Sequence, residues 1–549
     1  MKNIFVQNFL IIVACLFLNR ITLAQNLNAG QIHGNFQMDA QYYNTDSSIQ
    51  AFQPQDQMRM NAFANIIYTN GNFTAGVRYE AYLNALLGFL PGYSGTGLPY
   101  RFAQYKQDQF DITVGSFYEQ FGSGLIFRSY EERLLGYDNA IDGVRFKFNP
   151  YKGVYLKTVY GKQRLFFGQS PGTVRGIDGE ININELFDSS LADKKTKVII
   201  GGSFVSKYQD PTDPTLVLPA NVGSWAGRLN IIHGSLNFST EYAYKINDPS
   251  FDNGYIYKPG EALLVQLSYS KKSFGLNLAG KYIDNMSYRS DRNQILTNCM
   301  MNYLPALSKP HTYNLAATLY PYATQPNGEF GAQAEVLYKF KAGKPGGGKY
   351  GTTITASYAF ANGLDTSHIK NDTTRQGYTT KRFMWGKEVY FNDFNIELRK
   401  KISEKFKFIL SYIYFQYNLE VVQGKIGKST VFAHIGIIDL NYKINKKNNI
   451  RLELQHLYSE QDHQSWATAV LEYSVSPHYF FALMDQYNYG NNIVEERLNY
   501  PYATIGYTRG PNRIALGYGK QRAGLFCVGG VCRPVPASNG LTINISSTF

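Results

Sequence analysis

Apolar and polar residues alternate with a period of two along almost the whole chain. Ile32, Phe36, Met38, Ala40 and Tyr42 fall on one face, and His33, Asn35, Gln37, Asp39 and Gln41 on the other. In residues 330–340 Phe330, Ala332, Ala334, Val336, Tyr338 and Phe340 oppose Gln333, Glu335 and Lys339. Segments 58–69 and 72–83 repeat the pattern across Asn70-Gly71, a strong hairpin signal. An α-helix, with 3.6 residues per turn, would scatter these apolar residues around its circumference, whereas a strand places them on one side. The chain is therefore expected to be all-β.

A soluble sandwich also uses alternation, so strand length and loop asymmetry decide between the two. Many segments reach ten residues, close to the ~9–11 that cross a bilayer at a tilt. Short turns are expected at Asn70-Gly71, Gln107-Asp108, His233-Gly234, Ser476-Pro477 and Gly510 to Asn512. Longer connections are expected at 44–57, 84–98, 118–141, 208–224, 284–329, 362–386 and 523–539, on the opposite side. Short periplasmic turns with longer extracellular loops are the asymmetry of bacterial outer-membrane barrels. The reading is one large antiparallel transmembrane β-barrel of about 24 strands, within roughly 18 to 26. The segments 173–183 and 195–206 give the weakest strand patterns.

Composition fits a wall with one face in lipid and one in water. Charged residues are 17% of the chain, below the usual quarter, while 44 Tyr and 36 Phe can supply interfacial girdles. Mean hydropathy is −0.29, and beyond the N-terminus no apolar run reaches the ~18 residues of a spanning helix. Residues 1–24 read as a signal peptide: Lys2, a largely apolar stretch from Ile4 to Leu18, and Thr22-Leu23-Ala24 before Gln25. An alternative is lipoprotein processing at Cys15 after Ile12-Val13-Ala14. Residues 25–549 are then the barrel. Loss of Lys2 and Arg20 lowers the net charge of +13 by two. The first strand begins soon after residue 25, leaving no room for an N-terminal plug domain.

The terminal strand carries its own signal. Leu541, Ile543, Ile545, Ser547 and Phe549 share a face, and the final aromatic resembles the mark read by the barrel-assembly machinery. Cys527 and Cys532 flank two glycines and suit a disulfide in an oxidising compartment; a metal pair is the alternative, without a nearby His to complete it. Gly343 to Lys349 has P-loop spacing, but Tyr350 replaces the Ser or Thr that would bind magnesium, and the segment joins two strands. It reads as a turn. HExxH is missing, a Ser flanked by Gly at 92–96 fails the nucleophile-elbow spacing, and the histidines are scattered. No enzyme activity, cofactor, metal or nucleic-acid partner is expected. Expected partners are outer-membrane lipid, the assembly machinery and other membrane proteins.

Alternation breaks in residues 115–145, where charge concentrates at Arg128, Glu131, Glu132, Arg133, Asp138, Asp142 and Arg145; Arg175, Asp178 and Glu180 follow. A charge facing hydrocarbon costs several kcal/mol, so these groups are expected in the lumen or in an infolded loop. They could form a selective constriction or a salt-bridged network that fastens a loop. The segment 284–329, with Met300, Met301, Tyr303 and Leu304, could meet a partner or fold inward.

FGSGL at 121–125, YDNAIDGVRF at 137–146, VRGIDGE at 174–180 and YPYATQPNGEFGAQ at 320–333 resemble an outer-membrane barrel family of unknown function found in Bacteroidota. The resemblance covers most of the mature chain. It implies a barrel in the cell outer membrane and supplies no substrate or catalytic residue. FG-x-GL alone is also similar to surface-glycan-binding capsule barrels. The expected function is a passive channel or transport-associated barrel. The alternative is a plugged, non-conducting barrel that serves a secretion or glycan/lipid-export machine as a structural or partner-binding part.

Overall fold

The structure, a computed structural model, describes residues 30–187, 195–528 and 531–549. The expected signal peptide lies outside the described residues, and so do the side chains of 526–533, including the expected Cys527–Cys532 bridge.

Twenty-four strands form one sheet, each antiparallel to its chain neighbours. The first, Gln31–Asn44, pairs with Met58–Asn70 on one side and with the last, Ser538–Thr548, on the other. The sheet is thus a closed barrel. Closure answers the alternation: one face of every strand is apolar, and in hydrocarbon any free sheet edge would leave backbone groups unpaired at several kcal/mol each. Ile66, Ile177, Leu278, Val336, Ile438, Leu483 and Leu516 stand exposed on the outward face, spread around the whole wall. Both weak strand patterns are strands, Gly168–Asn182 and Thr196–Tyr208. Among the described residues no helix is long and apolar enough to cross a membrane.

The turns at one end are short, as at Asn70 to Phe73 and His233 to Leu236. Most of the connections at the other end are long. One expected long loop, 362–386, is instead mostly strand: Thr352–His368 and Tyr378–Lys401 continue as a paired hairpin past three register shifts. Its tip is closed by Asp372, whose carboxylate accepts from the backbone N–H of Thr374 and Gly377. The hairpin lies against the outside of neighbouring strands. Phe383 packs on Tyr282, Trp385 on Phe330 and Phe360, and Arg382 pairs with Glu261. These contacts replace the alternation of a solitary strand, which is why the pattern was unreadable there.

Candidate functional site

The lumen on the long-loop side is filled by the chain itself. The first filler is 118–140, between the strands Phe110–Phe117 and Ile141–Tyr151. Gly122 and Gly124 have positive φ and let the chain double back. A Cβ on Gly122 would fall 2.4 Å from the Glu241 carboxylate, which accepts from the Ser123 N–H at 2.7 Å. The apolar residues of this turn, Phe121, Leu125, Ile126 and Phe127, are 0–2% exposed.

The second filler is 285–327, between the strands Phe274–Asp284 and Gly328–Phe340. It is knitted to the first. Arg128 N–H donates to Met301 O at 2.7 Å, Tyr303 N–H to Gly124 O at 2.9 Å, and Asn302 Nδ2 to Leu125 O at 3.2 Å. Its first half rests on one side of the wall. Gln163 Nε2 donates to Met300 O at 2.6 Å, and Tyr288 OH to Val222 O at 2.9 Å. Lys207 donates to Arg289 O and pairs with Asp248 at 2.8 Å, all fully buried. Arg292, also fully buried, donates to Gln209 Oε1 and Pro219 O. Its second half crosses to other strands. Lys309 reaches Asn395 at 2.7 Å, His311 Nε2 meets Asp393 at 2.8 Å, and the Leu315 N–H donates to Gln455 at 3.0 Å. The short helix Asn314–Leu319 buries Leu315, Ala316 and Leu319 against Ile413, Phe415, Val431, Ala433 and Ile435. Thr318 also accepts from Arg522, which follows the strand Asn512–Gln521.

The wall strands are built for this. In Thr430–Lys443 the outward Phe432 and Ile438 are exposed, while the inward Val431, Ala433, Ile435 and Ile437 are 0–2% exposed. A lumen wall in contact with water would be polar on that face. Here it is apolar because protein covers it.

Eight of the ten sequence-derived charges take four places on the lumen side. Glu131, Arg133 and Asp138 belong to one buried network. Arg164 binds Glu80 at 2.6 Å and Asp138 at 2.6 Å; Arg78 binds Glu80 at 2.7 Å, Glu131 at 2.9 Å and also Asp138. Arg133 closes it on Glu131 at 2.6 Å, while half-buried Glu132 only precedes the turn Arg133–Leu135. Arg128 is clamped between the rings of Tyr130 and Tyr303, 4.2 and 4.1 Å from their centres. Arg145 meets Asp111 at 3.3 Å and Glu119 at 3.7 Å. Asp178 and Glu180 share Arg228, at 2.7 and 3.2 Å.

Asp142 and Arg175 are not in the lumen. Ile141 points inward and is fully buried, so Asp142 takes the opposite face, where it pairs with exposed Arg101 at 3.3 Å. Arg175 likewise alternates with inward Val174 and lies beside Tyr208 on the outer surface. Both lie near the long-loop end of their strands, where charge is far less costly than at the midplane.

Sequence reasoning missed Arg78, Glu80 and Arg164, which bind the network to the wall. A signal existed: Arg78 and Glu80 sit two apart on the face opposite Val77 and Tyr79. Among the described residues no three His, Cys, Asp or Glu side chains converge as a metal ligand set. Cys299 is free and 3% exposed, and burial pushes its thiol up to about 11.

The fold and its contents define a closed transmembrane β-barrel whose lumen is occupied by two of its own connecting segments. The chain belongs to a family of unknown function, DUF6029, which matches residues 1–549. No curated protein matches it in sequence. Among solved structures it is similar to the translocation pore of the P pilus usher PapC, with 9% identity, a TM-score of 0.45, and 94% of this chain and 98% of that one covered. The siderophore receptor PirA of Pseudomonas aeruginosa gives 10%, 0.39, 94% and 80%. The outer membrane protein OpdK of the same organism gives 11%, 0.35, 83% and 99%. These likenesses are too distant to bear on function.

Proposed function

We propose that the protein is an outer-membrane barrel of a Bacteroidota cell that is closed at rest and acts as a partner-binding component of an export or secretion assembly. The short turns then face the periplasm and the long loops the exterior. What carries the reading is the segment 285–327, hydrogen-bonded to wall strands on both sides of the lumen. In the first filler Glu131, Asp138 and Glu119 are bound by Arg78, Arg164 and Arg145 of the wall, and Arg128 lies between Tyr130 of that filler and Tyr303 of the second. The protein has no catalytic role in this reading, and pure protein should not hydrolyse phospholipid.

Single-channel recording of the refolded protein in a planar bilayer tests it. A silent bilayer containing folded, heat-resistant barrel is the expected result; stable open steps would overturn it. One observation favours a gated-channel reading as well. Below the fillers the inward face is polar and open, with Gln266, Asn277 and Asn237 exposed. Reversible opening of the intact barrel under applied voltage would support that version.

A further inference from the structure

Three consecutive periplasmic turns and their flanking strand ends, within 339–349, 399–407 and 443–447, carry twelve cations and one carboxylate, Glu404. All of these cations are exposed except half-buried Lys400. Five point into the lumen. Lys339, Arg399, Lys401, Lys407 and Lys443 fall on the same face of their strands as the inward Glu335, Glu397, Ile409 and Asp439. One step deeper, the acids are already used: Arg399 binds Glu397, and Arg451 holds Asp439, Glu453 and Glu472. Among the described residues the other four inward lysines have no ion pair, and Lys401 alone has an aromatic partner, its ammonium 4.6 Å over the Tyr350 ring.

Their register adds to the charge. Lys401 and Lys407 are direct partners across neighbouring strands, and the Lys443 N–H donates to Lys405 O. Like charges directly opposite in a sheet are destabilising. A sheet that keeps them there, with a mouth open to the periplasm, is arranged for an anion that lies between them.

We propose that this basic mouth binds an acidic polypeptide segment, rich in Asp and Glu, entering from the periplasm. Lipid headgroups are disfavoured because four of the unpaired lysines face the lumen, away from the bilayer. Lysine in place of arginine fits a sequence-tolerant partner: an ammonium is a point charge without the fork that fixes a bidentate acceptor. The inference rests on the closed-barrel reading only for the side from which the mouth is entered.

The test uses full-length protein in nanodiscs of zwitterionic lipid at low salt, with fluorescent poly-glutamate as probe. Poly-glutamate should bind, release as salt shortens the screening length, and bind about tenfold more weakly to the quadruple variant K339Q/K401Q/K407Q/K443Q. The control variant K341Q/K344Q/K446Q/K447Q, at the turn tips, should lose much less. Retained heat-modifiable mobility shows that both variants fold. No binding to the parent protein, equal loss in both variants, tighter binding of polygalacturonate, or loss of probe to phosphatidylglycerol in the disc would each overturn the proposal. Conductance of the same preparation separates the two ideas. An open pore that still binds poly-glutamate defeats only the closed resting state, and a silent barrel that ignores it defeats only the acidic partner.

Discussion

At the scale of single residues, the buried network around Glu80 makes the sharpest demand. Glu80 is 1% exposed and lies between Arg78 and Arg164. Removing one partner of a buried pair leaves an uncompensated charge and costs about 3–5 kcal/mol. Arg164→Ala is therefore expected to lower the unfolding midpoint in urea strongly, whereas Arg101→Ala, which loses an exposed pair with Asp142, should change it by under about 1 kcal/mol. Arg128→Ala with Arg145→Ala should destabilise the fillers and leave the bilayer silent. A change in ion selectivity without loss of stability would restore the constriction reading. Cys299 gives an independent check. Its thiolate is disfavoured by burial, so at pH 8 a maleimide should miss its peptide in the native barrel and label it after unfolding, as read by mass spectrometry.

At the scale of elements, much was legible because a barrel strand repeats one rule. Residues 31–44 and 328–340 alternate cleanly, and their registers follow the pattern. Legibility failed wherever a second surface covered the strand. In Thr430–Lys443 both faces are apolar, one for lipid and one for the helix Asn314–Leu319, so alternation measures nothing there. In Tyr378–Lys401 the outer half is a hairpin braced by Phe383 and Trp385, whose partners come from other strands. The charges of 128–145 are expected in the lumen or in an infolded loop, but the anchors Arg78, Glu80 and Arg164 are distant in sequence, and no local pattern connects them to that stretch. The two surfaces of Phe406–Asn418 can be told apart by substitution. Leu410→Arg on the lipid face should cost about 2–4 kcal/mol and reduce the amount of assembled barrel in the membrane. Ile413→Arg, facing the filler, should leave the barrel in the membrane but expose 303–325 to added protease.

At the scale of the whole molecule, the ring and its contents are separable. The wall is held by 24 pairings that close on themselves, and the fillers are held by side chains that reach inward from it. Replacing 288–325 by a short Gly-Ser linker should therefore leave a heat-resistant barrel that conducts, with a unit conductance larger than that of any variant retaining the segment. Failure of that variant to form a barrel would show that the filler is needed for the wall.

The placement of the second filler also has a consequence in time. Residues 285–302 rest on strands that precede them in the chain, but 309–320 rest on Asp393, Asn395, Ile413, Ile435 and Gln455, on strands that follow them. The second half of the filler must wait for the rest of the chain, and its docking marks the moment when the later strands have taken their places. In a pulse-chase experiment, protease cleavage within 303–325 should stay available through early biogenesis and vanish only as the heat-resistant form appears, so that the interior works as a clock for the completion of the wall.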